Sequence, residues 1–263
     1  MNSREIILLL ALASATGLWN CGVVQDFNLF SIQDDMQLGK QFSQEIANNP
    51  KQYPVLSESN NREAYSYVKG ITQKILKSGK VPHANDFAWQ VKIINDDKTL
   101  NAFAVPGGYL YVYTGLIKYL DSEDQLAGVM GHEIAHAAER HSTEQMTKIY
   151  GLDAVRQIIT GKQDPGVVEQ ILLGLSYMKF SRAHETEADE SSVLYLCGTS
   201  YNAAGAAGFF KKISGKGGNP PEFLSTHPNP GNRIKNIETK AQSLGCRGSQ
   251  TNKSDYARLK KLL

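Results

Sequence analysis

The chain has 263 residues, 41% of them hydrophobic, and its 28 Lys and Arg against 26 Asp and Glu give a net charge of +2. These values are ordinary for a globular protein, and the length suits one domain with a sizeable core. No dense stripe of Lys and Arg with interleaved aromatic residues occurs, so nucleic acid is not an expected partner.

The first 21 residues are typical of an export leader. Arg4 precedes an apolar core, Ile6 to Ala13, and Ala13-Ser14-Ala15 offers a cleavage site. Cys21 follows and leaves two alternatives open, a cleaved signal peptide or a lipoprotein with a lipid anchor at this cysteine. The apolar core is too short to span a bilayer, and no other segment reaches about 18 apolar residues, so a multispanning membrane domain is not expected. The leader predicts a periplasmic or cell-envelope location.

Helices and short strands are predicted in the first half of the chain after the leader. Asp34 to Ala47 and Glu63 to Lys77 have the pattern of amphipathic helices, and Phe87 to Ile94 alternates as a strand does. Ala102 to Thr114 holds two short β runs around the tight turn Pro106-Gly107-Gly108. If one of these runs is an edge strand beside a cleft, it can bind an extended peptide as an added strand. The alternative is an ordinary core hairpin.

The next predicted helix, from about Ser122 to about His141, carries the sequence His132-Glu133-Ile134-Ala135-His136. Histidines four residues apart lie about 40° apart around a helix, so both imidazoles can face one metal ion. Glu133 follows the first histidine directly, where it can take a proton from a water held by the metal. The pattern predicts the zinc helix of a peptidase, and the alternative is a surface helix that carries two histidines by chance.

A catalytic zinc ion usually has three protein ligands, so two histidines do not complete the site. His141 lies about 140° further around a continuous helix, which turns it away from the metal. Glu139 and Ser142 stand where the metzincin pattern requires Gly and His, which excludes that class. Downstream, Glu185 and Asp189 share one helix face, so Glu185 is a candidate ligand and Asp189 a candidate hydrogen-bond partner of a ligand histidine. A solvated acidic helix face is the competing interpretation.

Taken in order, these motifs resemble the CAAX prenyl protease-type zinc peptidases, and most of all their soluble bacterial envelope members, the BepA-like and LoiP-like proteases. The resemblance covers roughly Asp35 to Gly245. It rests on His132-Glu133-x-x-His136, Ser181-Arg182-x-x-Glu185-x-x-Ala188-Asp189, Asn101 to Gly108, His141, and Thr226-His227-Pro228-x-x-x-x-Arg233.

The resemblance implies zinc as the cofactor and gives each matching residue an expected role. The implied zinc ligands are His132, His136 and Glu185, with Glu133 as the general base and Asp189 in support. His227 and Arg233 are expected beside the metal as transition-state or gating groups. His141 matches the family pattern but receives no ligand role.

Between the zinc helix and the helix of Glu185, helices are also predicted at Thr143 to Thr160 and Val167 to Lys179, separated by a loop at residues 161–166. This segment forms either a lid over the cleft or a plain helical pair. Beyond Asp189 we expect the helix to end near Cys197, a short helix at Ala203 to Ile213 and a loop at residues 216–221. The peptidase domain is assigned to residues 34–248 and a C-terminal tail to residues 249–263, of which Lys253 to Leu263 is expected to be a frayed, solvated end.

An exported chain meets an oxidising compartment, where free thiols tend to pair. The chain has three cysteines, and Cys21 lies beside the leader. Cys197 and Cys246 are therefore the expected disulfide pair, and two buried thiols are the alternative.

The predicted fold is α+β, a mainly helical gluzincin-type zinc peptidase with a small β-sheet beside the zinc helix. The predicted function is zinc-dependent hydrolysis of peptide bonds in misfolded or unassembled cell-envelope proteins, so the expected partners are protein or peptide substrates. Two other functions remain open at this point. One is a chaperone or assembly factor on a peptidase fold with proteolysis secondary, and the other is an inactive binding module.

Overall fold

The structure, a computed structural model, describes residues 28–160, 170–174, 179–214, 222–228 and 231–263. The leader and the loops at 161–166 and 216–221 lie outside the described residues. Within the described ranges, no helix is both long enough and apolar enough to cross a bilayer. In chain order the named elements are α1 (Ile32–Asn48), α2 (Arg62–Leu76), β1 (Gln90–Ile94), β2 (Ala102–Val105), β3 (Tyr109–Tyr113), α3 (Thr114–Tyr119), α4 (Glu123–Ala138), α5 (His141–Ile159), α6 (Arg182–Cys197), α7 (Gly205–Ser214), α8 (Glu222–Thr226), α9 (Arg233–Ser243) and α10 (Lys253–Leu262).

The predicted fold class is confirmed, because helices surround one small sheet with strand order β1-β3-β2. β3 is the central strand and pairs in parallel with β1 and antiparallel with β2. Gly107 and Gly108 form the turn between β2 and β3 with φ of 72° and 84°, a left-handed conformation that glycine adopts without strain. β2 is an edge strand of this sheet and packs against α4.

The first strand is shorter than the sequence predicts. We expected it to begin at Phe87, but β1 begins at Gln90. Trp89 has a φ of 43°, which is incompatible with an extended strand. The indole of Trp89 donates a hydrogen bond to the carbonyl oxygen of His83 at 3.0 Å, and this contact with a residue six positions earlier helps to hold the conformation.

The predicted zinc helix, α4, is buried on almost every side and not along one stripe only. Two glycines let the neighbouring helices approach it closely. A Cβ at Gly128 would lie 2.2 Å from the backbone nitrogen of Ala206 on α7, and one at Gly131 would lie 2.7 Å from Oγ of Ser192 on α6. Ser192 also donates a hydrogen bond to the carbonyl oxygen of Gly128 at 2.8 Å. α4 and α6 are thereby held in one fixed relation.

α4 ends at Ala138, three residues earlier than predicted, because the chain turns at Arg140. Arg140 has a φ of 64°, and α5 begins at the next residue, His141. The guanidinium of Arg140 lies 2.5 Å from the carboxylate of Asp35 and also donates to the carbonyl oxygen of Phe30. Phe30, just before α1, and Asp35, in the first turn of α1, therefore stabilise an unusual backbone conformation at the end of α4.

The expectation of a frayed, solvated end is wrong for the last residues of the chain. Lys253–Leu262 forms α10, whose Tyr256 and Leu259 are buried. These two side chains are three residues apart and so share one face of the helix. The hydroxyl of Tyr256 donates a hydrogen bond to the carbonyl oxygen of Ile117 at 2.7 Å, which ties α10 to α3.

Cys197 and Cys246 form a disulfide, which confirms the predicted pair and excludes two free buried thiols. Their Cα atoms lie 4.9 Å apart, and 49 positions separate them in the sequence. Cys197 is the last residue of α6, and Cys246 follows α9. The bond therefore fixes α9 to the C-terminal end of α6.

We expect the double variant Cys197→Ser and Cys246→Ser to lower the free energy of unfolding by about 4 kcal/mol, because the disulfide closes a loop of about 50 residues in the unfolded chain. Urea unfolding of the variant and of the unaltered chain, both prepared under oxidising conditions, measures the difference. The reduced unaltered chain is the control and should unfold with the variant. Equal midpoints for the variant and the oxidised chain would contradict the prediction.

Candidate metal centre

Every site residue predicted from the sequence lies in one buried cluster in the interior of the protein. Two of the elements that supply it, α4 and α6, are the closely packed pair described above. α8 and the start of α9 supply the rest, from the C-terminal part of the chain. The cluster consists of His132, Glu133 and His136 on α4, Glu185 and Asp189 on α6, His227 directly after α8, and Arg233 as the first residue of α9.

Four of these residues offer ligand atoms that lie within 4.8 Å of one another, namely His132, His136, Glu185 and His227. Nε2 of His132 lies 3.0 Å from Nε2 of His136. The carboxylate oxygens of Glu185 lie 3.4 and 3.5 Å from those two nitrogens. A tetrahedral site with bonds of about 2.0–2.1 Å places neighbouring ligand atoms about 3.3–3.4 Å apart. The donor set and its spacing therefore fit one four-coordinate metal ion.

His227 approaches the cluster with both ring nitrogens. Nδ1 lies 3.3 Å from Nε2 of His132 and 3.0 Å from Oε1 of Glu185. Nε2 lies 3.6 Å from Oε1 of Glu133. The ring also stacks on Phe223 with centroids 4.4 Å apart, which fixes its plane. His227 thus stands between the other donors and the carboxylate of Glu133.

Asp189 and Arg233 hold the far side of His132. Nδ1 of His132 lies 3.0 Å from Oδ1 of Asp189. The guanidinium of Arg233 contacts both oxygens of Asp189, at 2.6 and 2.7 Å, and one oxygen of Glu185 at 3.0 Å. Its other face lies over the ring of Phe210 at 4.1 Å. Arg233 therefore balances two buried carboxylates and keeps Asp189 directed at the imidazole.

Glu133 lies beside the four donors and is 3% exposed. Its Oε1 accepts no hydrogen bond from the residues that the structure describes. Burial raises the pKa of Glu133 above its ordinary value, and the charges of His227 and His132 offset this only in part. A carboxylate with a raised pKa transfers protons more effectively near neutral pH than an ordinary glutamate does.

The charge states of the ligand residues follow from their neighbours. Burial acts to raise the pKa of Glu185, but His227, His132 and His136 outweigh it and lower the pKa far below its ordinary value. Burial lowers the pKa of His136, which favours the neutral imidazole that a metal requires. Burial and Arg233 lower the pKa of His132, yet hydrogen bonds with Asp189 and Glu185 outweigh them and raise it to about 9.

Three residues that the sequence did not assign to the site lie against it. His141 is not one of the four donors, as the sequence predicts, but the turn at Arg140 returns it toward α4. Its Nδ1 lies 2.9 Å from Nδ1 of His136, the nitrogen opposite the donors. Phe180 stacks on the ring of His136 with centroids 4.0 Å apart. His184 stacks on His141. In the sequence, only the position of His184 directly before Glu185 indicated that it could lie near the site. Nothing in the sequence indicated this for Phe180.

A cleft of about 300 Å³ opens beside Glu133 and His227. One wall is the edge strand β2 with the residues next to it, so the edge strand and the cleft are adjacent as the sequence suggested. The lining residues in the described part of the chain include no Lys or Arg. Its apolar members are Tyr53, Phe103, Ala104, Val105, Tyr113, Leu172 and Phe180, and its acidic members are Asp96, Glu133 and Glu222.

Comparison with known proteins identifies the family. Residues 62–241 match peptidase family M48. The chain is 30% identical over 177 residues to mitochondrial metalloendopeptidase OMA1 of Schizosaccharomyces pombe, an alignment that covers 65% of this chain and 51% of the relative. It is 32% identical over 154 residues to mitochondrial metalloendopeptidase OMA1 of Arabidopsis thaliana, covering 58% of this chain and 32% of the relative.

A bacterial relative aligns over more of the chain. The beta-barrel assembly-enhancing protease of Escherichia coli strain K12 is 26% identical over 231 residues, covering 81% of this chain and 45% of the relative. The chain thus spans between about a third and a half of the length of these curated relatives. The family match includes all seven residues of the cluster, from His132 to Arg233. The resemblance noted from the motifs is confirmed, and the chain belongs to peptidase family M48.

Proposed function

We propose that this chain is a zinc-dependent metalloendopeptidase that hydrolyses peptide bonds in misfolded or unassembled cell-envelope proteins. The observation that carries the proposal is the convergence of four buried metal donors beside Glu133 at the wall of a cleft. Membership of peptidase family M48 supports it.

In this proposal His132, His136 and Glu185 hold the zinc ion. Two imidazoles and one carboxylate are a ligand set that zinc uses in catalytic sites, which leaves a fourth position for water or substrate. Held by these three residues, a zinc ion would supply a Lewis acid that polarises the scissile carbonyl and lowers the pKa of water. Asp189 keeps His132 oriented, and Arg233 stabilises the buried charge of Asp189 and Glu185.

Glu133 acts as the general base. It accepts a proton from the attacking water and passes that proton to the leaving amine. The raised pKa of this carboxyl suits both steps, because the group must take up the proton and then release it. Burial also excludes bulk water from the carboxylate, which strengthens its interaction with the developing charge.

His227 has one of two roles in this site. Its Nδ1 stands among the other donors, which favours occupation of the open zinc position at rest. Its Nε2 faces Glu133, so a small rotation of the ring would let His227 stabilise the oxyanion during turnover. Both roles make the activity depend on this imidazole.

The substrate binds as an extended strand alongside β2. Main-chain hydrogen bonds to an edge strand are independent of the peptide sequence, and unfolded segments can form them while compact folded proteins cannot. The aromatic side chains of Phe103 and Tyr113 line the same cleft and can contact apolar side chains of the peptide. This geometry supports misfolded or unassembled proteins as the substrates.

A cell-envelope location is part of the proposal. The disulfide between Cys197 and Cys246 suits an oxidising compartment, and the leader suits export. The Escherichia coli relative is named for β-barrel assembly. A mass measurement on the N-terminal peptide of protein from the envelope fraction separates the two processing routes, since a lipid anchor adds a diacylglyceryl group to Cys21.

An assembly factor with secondary proteolysis is the second candidate function. The name of the Escherichia coli relative, a beta-barrel assembly-enhancing protease, favours it, because that name joins both activities. Cells that carry only the Glu133→Gln variant separate the candidates. An assembly factor keeps envelope proteins at their normal levels in such cells, whereas a protease lets its substrates accumulate.

We expect Glu133→Gln to abolish peptide hydrolysis and to leave zinc bound. The amide cannot accept the proton, which costs about 10²- to 10⁴-fold in rate, while all ligand atoms remain. Casein cleavage and the zinc content of the same preparation measure both effects. Near-normal cleavage by the variant would show that the proposed mechanism is wrong.

We expect Glu185→Ala to lower the zinc content of the purified protein, because it removes a ligand and leaves Arg233 without one of its two carboxylates. Glu190→Ala is the matched control on the same helix, since Glu190 pairs with Lys240 at the surface. Metal analysis of the two variants after dialysis gives the comparison. Equal zinc content in the two variants would show that Glu185 is not a zinc ligand.

We expect His227→Ala to change the rate of casein cleavage at least tenfold. The rate rises if the imidazole occupies the open zinc position and falls if it stabilises the oxyanion. His83→Ala is the control, because the half-buried side chain of His83 lies outside the cluster and pairs with Asp86. A rate like that of the unaltered protein would show that His227 has neither role.

A further inference from the structure

His141 has no role in the proposed mechanism, yet it is 1% exposed and touches a metal donor. Its Nδ1 lies 2.9 Å from Nδ1 of His136. His136 meets the other donors with its opposite nitrogen, Nε2. We propose that His141 is a positioning residue that fixes the tautomer and the orientation of the metal ligand His136. This role rests on the proposed metal site.

The direction of hydrogen bonding follows from the chemistry of imidazole. A neutral imidazole carries one N–H, so a lone pair on Nε2 of His136 requires the hydrogen to be on Nδ1. That N–H donates to Nδ1 of His141, which must then carry its own hydrogen on Nε2. Nε2 of His141 lies 3.3 Å from Oε2 of Glu187, a carboxylate that is 52% exposed. Each N–H in this series of hydrogen bonds therefore meets an acceptor. Only this arrangement leaves the lone pair on Nε2 of His136 free for a metal.

Stacking keeps the two rings in place. The ring of His141 lies parallel to that of His184, with centroids 4.4 Å apart and 14° between the planes. Nε2 of His184 contacts Oε1 of Glu144 at 3.0 Å, so the second ring is fixed in turn. Phe180 covers a face of the His136 ring. The contact between His136 and His141 is therefore one of several restraints, and among the described contacts it is the one that gives a hydrogen on Nδ1 of His136 an acceptor.

The two ligand histidines differ in the acceptor that each one meets. Nδ1 of His132 faces the carboxylate of Asp189, whereas Nδ1 of His136 faces an imidazole. Loss of such a partner typically lowers metal affinity about 10- to 100-fold. A neutral nitrogen is a weaker acceptor than a carboxylate. Removal of the His141 imidazole should therefore lower the metal affinity by an amount at the lower end of that range.

The backbone explains how His141 reaches this position. On a continuous helix it would point about 140° away from His136. The left-handed conformation of Arg140, held by Asp35, ends α4 and starts α5 at His141 itself. The same turn that interrupts the helix brings the imidazole against its neighbour.

The test compares His141→Leu with His141→Asn in the full chain. Leu and Asn have nearly the same shape and both remove the ring that stacks on His184, but only Asn keeps an acceptor close to the place of Nδ1. Competition for zinc with a fluorescent chelator gives the dissociation constant of each protein. We expect His141→Leu to raise it about tenfold and His141→Asn to leave it within about threefold of the unaltered value.

His184→Leu serves as a second comparison, because it removes the stacked ring and leaves the acceptor on His141. It should bind zinc within about threefold of the unaltered chain, and it carries the test with His141→Asn if the Leu variant at 141 does not fold. Equal dissociation constants for Leu and Asn at position 141, or a tenfold rise for His184→Leu or His141→Asn, would overturn the role. Failure of the unaltered chain to bind zinc would refute the metal site itself, and this role with it.

Discussion

The burial of three carboxylates in the interior of the protein is the constraint on which the rest of the structure depends. Glu133, Glu185 and Asp189 are each at most 4% exposed. An unpaired buried charge costs several kcal/mol even after the protein relaxes, so each carboxylate requires partners inside the fold. Arg233 and the surrounding imidazoles supply them, and a bound cation would supply more. A site of this composition therefore has to be enclosed by elements that cannot separate.

The packing of α4 meets that requirement. Helices usually approach to 8–10 Å, and small residues at the contact permit the closer distances. Gly128 and Gly131 both leave no room for a Cβ, and Ser192 bonds directly to the α4 backbone. α4 thus serves as a buried central element whose surface is shared by the sheet, α6 and α7. The close contact between α4 and α6 fixes the spacing of the donors that the two helices carry. Their ligand atoms therefore keep distances near those of a coordination sphere.

The local part of the site could be predicted from the sequence, and the tertiary part could not. The spacing of His132 and His136, and of Glu185 and Asp189, is a property of single helices, so periodicity alone places each pair on one face. The turn at Arg140 depends on Asp35, more than a hundred residues earlier, and no local pattern contains that contact. The contact between His141 and His136 could not be predicted, because the angular argument assumed that the helix continued.

The same distinction explains the other differences from prediction. The full burial of α4 reflects neighbours on every side, whereas hydrophobic spacing shows only one apolar stripe. α10 resembled a solvated tail because its lysines dominate the composition, yet two side chains one turn apart are enough to anchor it. The disulfide was predictable because it follows from the number of cysteines and from the oxidising compartment that the leader predicts, and neither depends on tertiary contacts.

The site joins two parts of the chain that differ in how they are held. His132, Glu133, His136 and Glu185 stand on the packed pair α4 and α6, while His227 and Arg233 arrive from the C-terminal segment. Arg233 brings the positive charge that compensates Asp189 and Glu185, so the charge balance of the core depends on the position of α9. The disulfide at Cys246 fixes α9 to the end of the helix that carries both carboxylates. A covalent bond outside the site thereby keeps the guanidinium against the two acids that would otherwise be buried without it.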